Sequence, residues 1–172
     1  MENKGYIQVY TGNGKGKTTA ALGLTLRAIC AGKKVFIGQF IKGMKYSEVE
    51  GLNYLKGFAI EQFGMDCFIY NDPTEEDKKR ALIGLKRCEE ILNSQEYDIV
   101  VLDEISIALY YKLLKVEDVL DLLNKKPENT EIIITGRYVP QEIIDRADLV
   151  TEMKEIKHYY YKGVEARKGI EN

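Results

Sequence analysis

A chain of 172 residues, 45% hydrophobic and 30% charged, suits one soluble domain built around one core. Its formal net charge of −2 supplies no chain-wide basic field, which argues against nucleic acid and membrane surfaces as partners. Three scattered cysteines, Cys30, Cys67 and Cys88, form no CxxC pair, so a disulfide framework or zinc site is not expected. With a polar start, no signal-peptide core and no apolar run of membrane-spanning length, the expected location is the cytoplasm.

The elements follow in chain order. Residues 6–10 (YIQVY) read as a strand ended by Thr11-Gly12, and a glycine-rich loop leads into a helix over residues 17–31. The apolar residues of that helix, Ala21, Leu22, Leu24, Leu26, Ala28 and Ile29, crowd two faces, and Gly32 ends it. A short strand is expected over 35–37, a loop over 39–46, a short helix over 48–55 and a strand over 58–62. Gly, Asn, Asp and Pro mark 64–73 as loop. Thr74 is a good N-cap for a helix that opens with Glu75-Glu76-Asp77 and runs to about Leu92. The continuous apolar run at 99–102 (IVVL) marks a strand covered on both faces. Helices are expected over 105–113 and 116–123, a buried strand over 131–134, a short helix opened by Pro140 and ending at Arg146, and a last strand over 149–153. The tail from Glu155 shows no period.

Strands alternating with helices, with apolar central strands, predict an α/β fold: a mostly parallel sheet with helices on both faces. Ligands of such sheets sit at the carboxyl ends of the strands. Thr11, Gln39, Asp103 and Thr135 all follow strand candidates and should gather at one edge.

The strongest chemical signal is Thr11-Gly12-Asn13-Gly14-Lys15-Gly16-Lys17-Thr18-Thr19, set between a strand and a helix. Glycines let backbone N–H groups aim at phosphate oxygens, and the positive helix end faces the same anion. Lys17 offers a cation to the phosphates of ATP and Thr18 a hydroxyl to Mg²⁺, with Mn²⁺ as the alternative metal. Thr11 stands where this loop pattern usually begins with glycine. Asp103, at the end of the apolar run, matches the carboxylate that holds the metal; Glu104 could bind metal or activate water. Arg137, after IIITG, projects from a strand end and could neutralise phosphate charge.

Four of these segments carry a resemblance. TGNGKGKTTAA from Thr11, QFIKG from Gln39, VVLDE from Val100 and IITGR from Ile133 are joined by a tail pattern of Ala147, Asp148, Val150, Glu152, Lys157, His158, Gly163, Val164, Ala166, Gly169 and Ile170. In this order the chain resembles the P-loop type of ATP:corrinoid adenosyltransferase, also called cob(I)alamin adenosyltransferase. Threonine in first place of the loop is a feature of that family. The resemblance implies a single RecA-like domain over residues 1–172, usually dimeric. It implies transfer of the 5′-deoxyadenosyl group of ATP to the cobalt of a reduced corrinoid, a cob(I)alamin or a cobyrinic acid derivative, with triphosphate leaving. An electron donor such as a reduced flavoprotein would supply cobalt(I).

By resemblance Gly12, Asn13, Gly14, Lys15, Gly16, Lys17, Thr18 and Thr19 form the nucleotide loop, and Thr18, Asp103 and Glu104 serve the metal. Arg137 contacts the phosphates, and Arg27 matches a family arginine on the first helix. Phe68 and Tyr70 are candidates to lie under the corrin ring. Cobalt(I) is a strong nucleophile that needs no general base, and no Ser–His–Asp or Cys–His constellation is visible. His158 reads as structural rather than as a cobalt ligand. A phosphotransferase or ATPase on the same loop, and a carrier that binds without turnover, are the alternatives left open.

Overall fold

The computed structural model describes residues 4–44, 46–65 and 73–171. Cys67, Phe68 and Tyr70 lie outside them, as does most of the loop expected over 64–73. Six strands are described: β1 (Ile7–Thr11), β2 (Val35–Gln39), β3 (Phe58–Gln62), β4 (Ile99–Asp103), β5 (Glu131–Thr135) and β6 (Leu149–Glu152). They form one parallel sheet in the order β3-β2-β4-β5-β1-β6. The helices are α1 (Lys17–Cys30), α2 (Glu75–Ser94), α3 (Ile105–Tyr110), α4 (Val116–Asn124) and α5 (Gln141–Arg146), with short 3₁₀ turns at Ser47–Asn53 and Tyr159–Lys162. β5 lies between the strand that leads into the glycine-rich loop and the strand that ends in Asp103, the arrangement of a RecA-like sheet.

Strand alternation divides the core into two layers. Val100 and Leu102 of β4 join Ile7, Val9, Phe36, Ile132 and Ile134 on one face, beneath α2, α3, α4 and α5. Ile99 and Val101 point the other way with Val35, Ile37 and Ile133, beneath α1. The α1 stripe that meets the sheet is narrow: Lys17, Ala21, Thr25 and Ala28 are buried, whereas Leu26 is exposed. Two alanines in that stripe leave room for the helix to lie close to the strands, so α1 does not bury both apolar faces expected of it.

Some elements depart from expectation. β2 runs on to Gln39, because Gly38 and Gln39 stay in register with Leu102 and Asp103 of β4. α3 stops at Tyr110 instead of residue 113. Lys112 takes φ 57°, its N–H bonds to Leu109 O (2.9 Å), and Leu113 N–H reaches back to Ala108 O (2.9 Å). That pair of bonds is the Schellman closure, with Leu113 buried beside it. The segment expected as a helix over 48–55 is a 3₁₀ turn.

α2 begins as expected at Thr74. Its Oγ1 accepts from Asp77 N–H (3.2 Å), and Asp77 Oδ2 accepts from Thr74 N–H (2.8 Å). Losing this reciprocal cap costs about 1 kcal/mol. Thr74→Ala should therefore lower the urea midpoint by that equivalent with an unchanged slope, measured by circular dichroism.

Candidate active site

The glycine-rich loop joins β1 to α1 on the edge where the parallel strands end. Gly16 caps α1 at φ 117°, a conformation that an L side chain rarely adopts, and no side chain caps the helix. The amides of the first turn are thus left for an anion, at the positive end of the helix. The loop is anchored from β6: Met153 N–H donates to Thr11 O (2.8 Å) and Gly14 N–H donates to Met153 O (2.7 Å). That bond engages the Gly14 amide, so the phosphate-facing amides begin after it.

Lys17 is buried, and its ammonium bridges the loop's own carbonyls, Gly12 O at 2.9 Å and Gly14 O at 2.7 Å. Burial pushes its pKa down and Glu104 draws it back; Arg137 lowers it further while Asp103 raises it. The Lys15 side chain turns elsewhere. Its ammonium meets Tyr159 Oη (2.9 Å), Ile170 O (3.2 Å) and Glu171 Oε1 (2.8 Å), tying the tail to the loop.

Asp103 is the hub of the strand-end edge. Its Oδ1 accepts from Thr18 Oγ1 (2.8 Å) and Thr135 Oγ1 (2.6 Å), and its Oδ2 accepts from Gln39 Nε2 (3.1 Å). Lys42 Nζ stands 3.1 Å from the same Oδ2 and 3.4 Å from Glu48 Oε1. Burial of Lys42 works against its charge, but Asp103 and Glu48 outweigh it and raise its pKa. Glu104 has φ 60°, and its N–H donates to Thr135 Oγ1 (3.0 Å). Burial, then the neighbouring Asp103, pushes its carboxyl pKa up, while Lys42, Lys17 and Arg137 hold it down.

Two cavities meet at these residues. One, about 460 Å³, runs along the loop from Gly14 to Thr19 and is closed by Lys42, Glu48 and the tail. The other, about 310 Å³, is walled by Ile41, Met44, Met65, Ile107 and Tyr111. Lys17, Lys42, Tyr46, Glu104 and Arg137 line both.

The oxygens of Thr18, Asp103 and Glu104 suit a hard cation. Among the described residues no group of three or more His, Cys, Asp or Glu is placed to cage a metal. The hydroxyl and carboxylate oxygens themselves fit Mg²⁺ or Mn²⁺ held together with substrate phosphates and water.

The structure thus brings Lys17, Thr18, Asp103, Glu104 and Arg137 together. Asn13 lines a third groove, with Tyr138 and Tyr160, that meets the phosphate cavity at Arg137 and His158. Arg27 is exposed in the last turn of α1 and borders none of these cavities. His158 accepts a hydrogen bond from Tyr160 N–H (3.1 Å) at Nδ1, which caps the 3₁₀ turn Tyr159–Lys162. The sequence placed Gln39 and Thr135 at the strand-end edge without a chemical role, and it gave none to Lys42 or Glu48. For Lys42 and Gln39 the signal available was the QFIKG segment itself.

A phosphate loop on an α1 N-terminus, with a strand-end carboxylate one strand removed, defines a nucleotide-binding protein of RecA-like P-loop fold. A solved relative in shape is the flagellar accessory protein FlaH from Methanocaldococcus jannaschii, with TM-score 0.60 at 15% identity over 87% of this chain and 71% of that one. The chain belongs to the ATP:corrinoid adenosyltransferase family BtuR/CobO/CobP, whose family model matches residues 3–172. It is 36% identical to the corrinoid adenosyltransferase CobA of Salmonella typhimurium, across 99% of this chain and 87% of that protein. A corrinoid adenosyltransferase of Pseudomonas aeruginosa is 32% identical, across 99% and 85% respectively. Family membership makes this chain an ATP:corrinoid adenosyltransferase. Among the described residues no helix is long and apolar enough to cross a membrane.

Proposed function

We propose that this chain, as one catalytic domain, transfers the 5′-deoxyadenosyl group of ATP to the cobalt(I) of a reduced corrinoid. The observation that carries the reading is the pair of adjoining cavities, one phosphate-binding and one apolar, that share Lys17, Glu104 and Arg137 as a common wall. The triphosphate lies along the loop, on the first-turn amides of α1 and the Lys17 ammonium, with Arg137 neutralising its charge. A corrin face rests against Ile41, Met44, Ile107 and Tyr111, and Phe68 and Tyr70, outside the described residues, remain the candidates for stacking under the ring. The cobalt(I) electron pair attacks C5′, a Co–C bond forms, the C5′–O bond breaks, and that bond's electron pair departs with the triphosphate.

No proton has to move for this step, in keeping with a site rich in anion binders. The residues have two tasks, to stabilise charge on the leaving group and to hold C5′ in line with the cobalt. Thr18, Asp103 and Glu104 hold a divalent cation, Mg²⁺ or Mn²⁺, which adds positive charge at the triphosphate. The protein works in the cytoplasm as a homodimer, with a reduced flavoprotein or similar donor providing cobalt(I).

The test uses purified protein with ATP, Mg²⁺ and chemically reduced cobalamin. The expected result is the visible spectrum of an alkylcobalamin together with intact triphosphate in equal amount. Orthophosphate and ADP without a cobalt–carbon bond would establish hydrolysis or phosphotransfer instead, and tight binding without product would establish a carrier.

A further inference from the structure

Lys42 holds a position that the reaction outlined above leaves unexplained. Its ammonium lies 3.1 Å from Asp103 Oδ2, while the other oxygen of that carboxylate, Oδ1, accepts from the Thr18 hydroxyl at 2.8 Å. It is within 3.4 Å of Glu48 and 4.9 Å from the Tyr46 ring centroid, and it lines the phosphate cavity. A buried acidic group without a counter-charge is costly, and here Asp103, Glu104 and Glu48 converge. Lys42 balances them, and it does so at the carboxylate that a nucleotide-bound cation must also approach.

We propose that Lys42 is a resident counter-cation of Asp103 that the divalent metal of the incoming nucleotide displaces, so that it positions the acidic pair before loading and moves off it afterwards. An ammonium at Asp103 Oδ2 and a divalent cation at Oδ1, on the Thr18 side, would stand on one carboxylate and repel each other strongly. The long, flexible lysine stem lets the ammonium leave Asp103 while its backbone stays in place. Released, the ammonium remains at the wall common to both cavities, within reach of the nucleotide phosphates. Metal binding is thereby weakened in the absence of nucleotide, and the site favours the metal–ATP complex over either component alone.

The inference rests on the nucleotide reading of the site, but its test omits the corrinoid, so the two fail separately. ATP affinity is measured by calorimetry with Mg²⁺ and with EDTA, and the ratio of the two dissociation constants reports how much the metal contributes. In Lys42→Met the metal no longer competes with an ammonium, and the ratio should rise by roughly tenfold. Lys42→Arg keeps the competing charge and should stay near wild type. A ratio unchanged or lowered in the methionine variant would overturn the proposal, because a purely structural lysine would weaken ATP equally in both conditions. A second measurement needs no variant. In crystals of the wild-type protein with Mg²⁺ and ATP, Lys42 Nζ should stand beyond about 4 Å from Asp103, outside ion-pair range. An intact Lys42–Asp103 pair beside a bound metal would be equally fatal.

Discussion

Lys17→Ala is expected to reduce kcat/KM for ATP on the order of 10³-fold, the loss typical when a preorganised positive donor is removed from a developing anion. Two contributions add. The ammonium is the buried cation on the phosphate loop, and it also holds the loop's shape by bridging Gly12 O and Gly14 O. Alanine removes the charge and both bridges, so the Gly12 and Gly14 carbonyls lose the ammonium they share. Lys17→Arg should not restore activity, because a wider guanidinium does not fit between two carbonyls of one tight turn. Steady-state kinetics together with calorimetric ATP titration check this, with circular dichroism showing that the fold persists. Activity within tenfold of wild type would remove Lys17 from the site.

Elements specified by local chemistry were legible in the sequence. The apolar run of β4, the Thr74 cap and the glycine-rich turn each carry their signal within a few residues. The gathering of Gln39, Asp103 and Thr135 was legible too, because parallel strands bring their carboxyl ends to one edge. Gln39 is the register partner of Asp103, and Thr135 donates to the same carboxylate.

What could not be read was the direction of long side chains. Lys15 and Lys17 stand two residues apart in one loop, yet one ammonium turns into the loop and the other pairs with Glu171 of the tail. Nothing in the spacing distinguishes them, since the choice is made by a segment more than a hundred residues later. Lys42 reaches Asp103 only because β2 pairs with β4, a long-range fact with no local pattern. The end of α3 was lost for another reason: Lys112 adopts a left-handed conformation with no glycine or asparagine to announce it.

Gly136→Ala should destabilise the protein and disable the site together. Gly136 has φ 134°, and an added Cβ would lie 2.0 Å from Ser106 Oγ, far inside contact distance. Ser106 is fully buried and cannot simply swing into solvent, since its hydroxyl donates to Arg137 O at 2.7 Å. That bond holds the backbone from which Arg137 reaches the shared wall of the two cavities. Backbone strain and overpacking here cost about 2–4 kcal/mol together, or a fall in Tm of roughly 5–15 °C for a chain of this size. Displacing Arg137 should also lower kcat by about tenfold or more at temperatures where the variant is still folded. The double variant Gly136→Ala with Ser106→Ala separates the two causes. Removing the hydroxyl relieves the closest contact but leaves the strained φ, so Tm should recover in part while kcat stays low, because the tether to Arg137 is gone. Scanning calorimetry and the cobalamin assay read the two effects independently. Wild-type Tm in the single variant would mean that the turn before Arg137 accommodates a side chain, and that Ser106 does not hold the arginine in place.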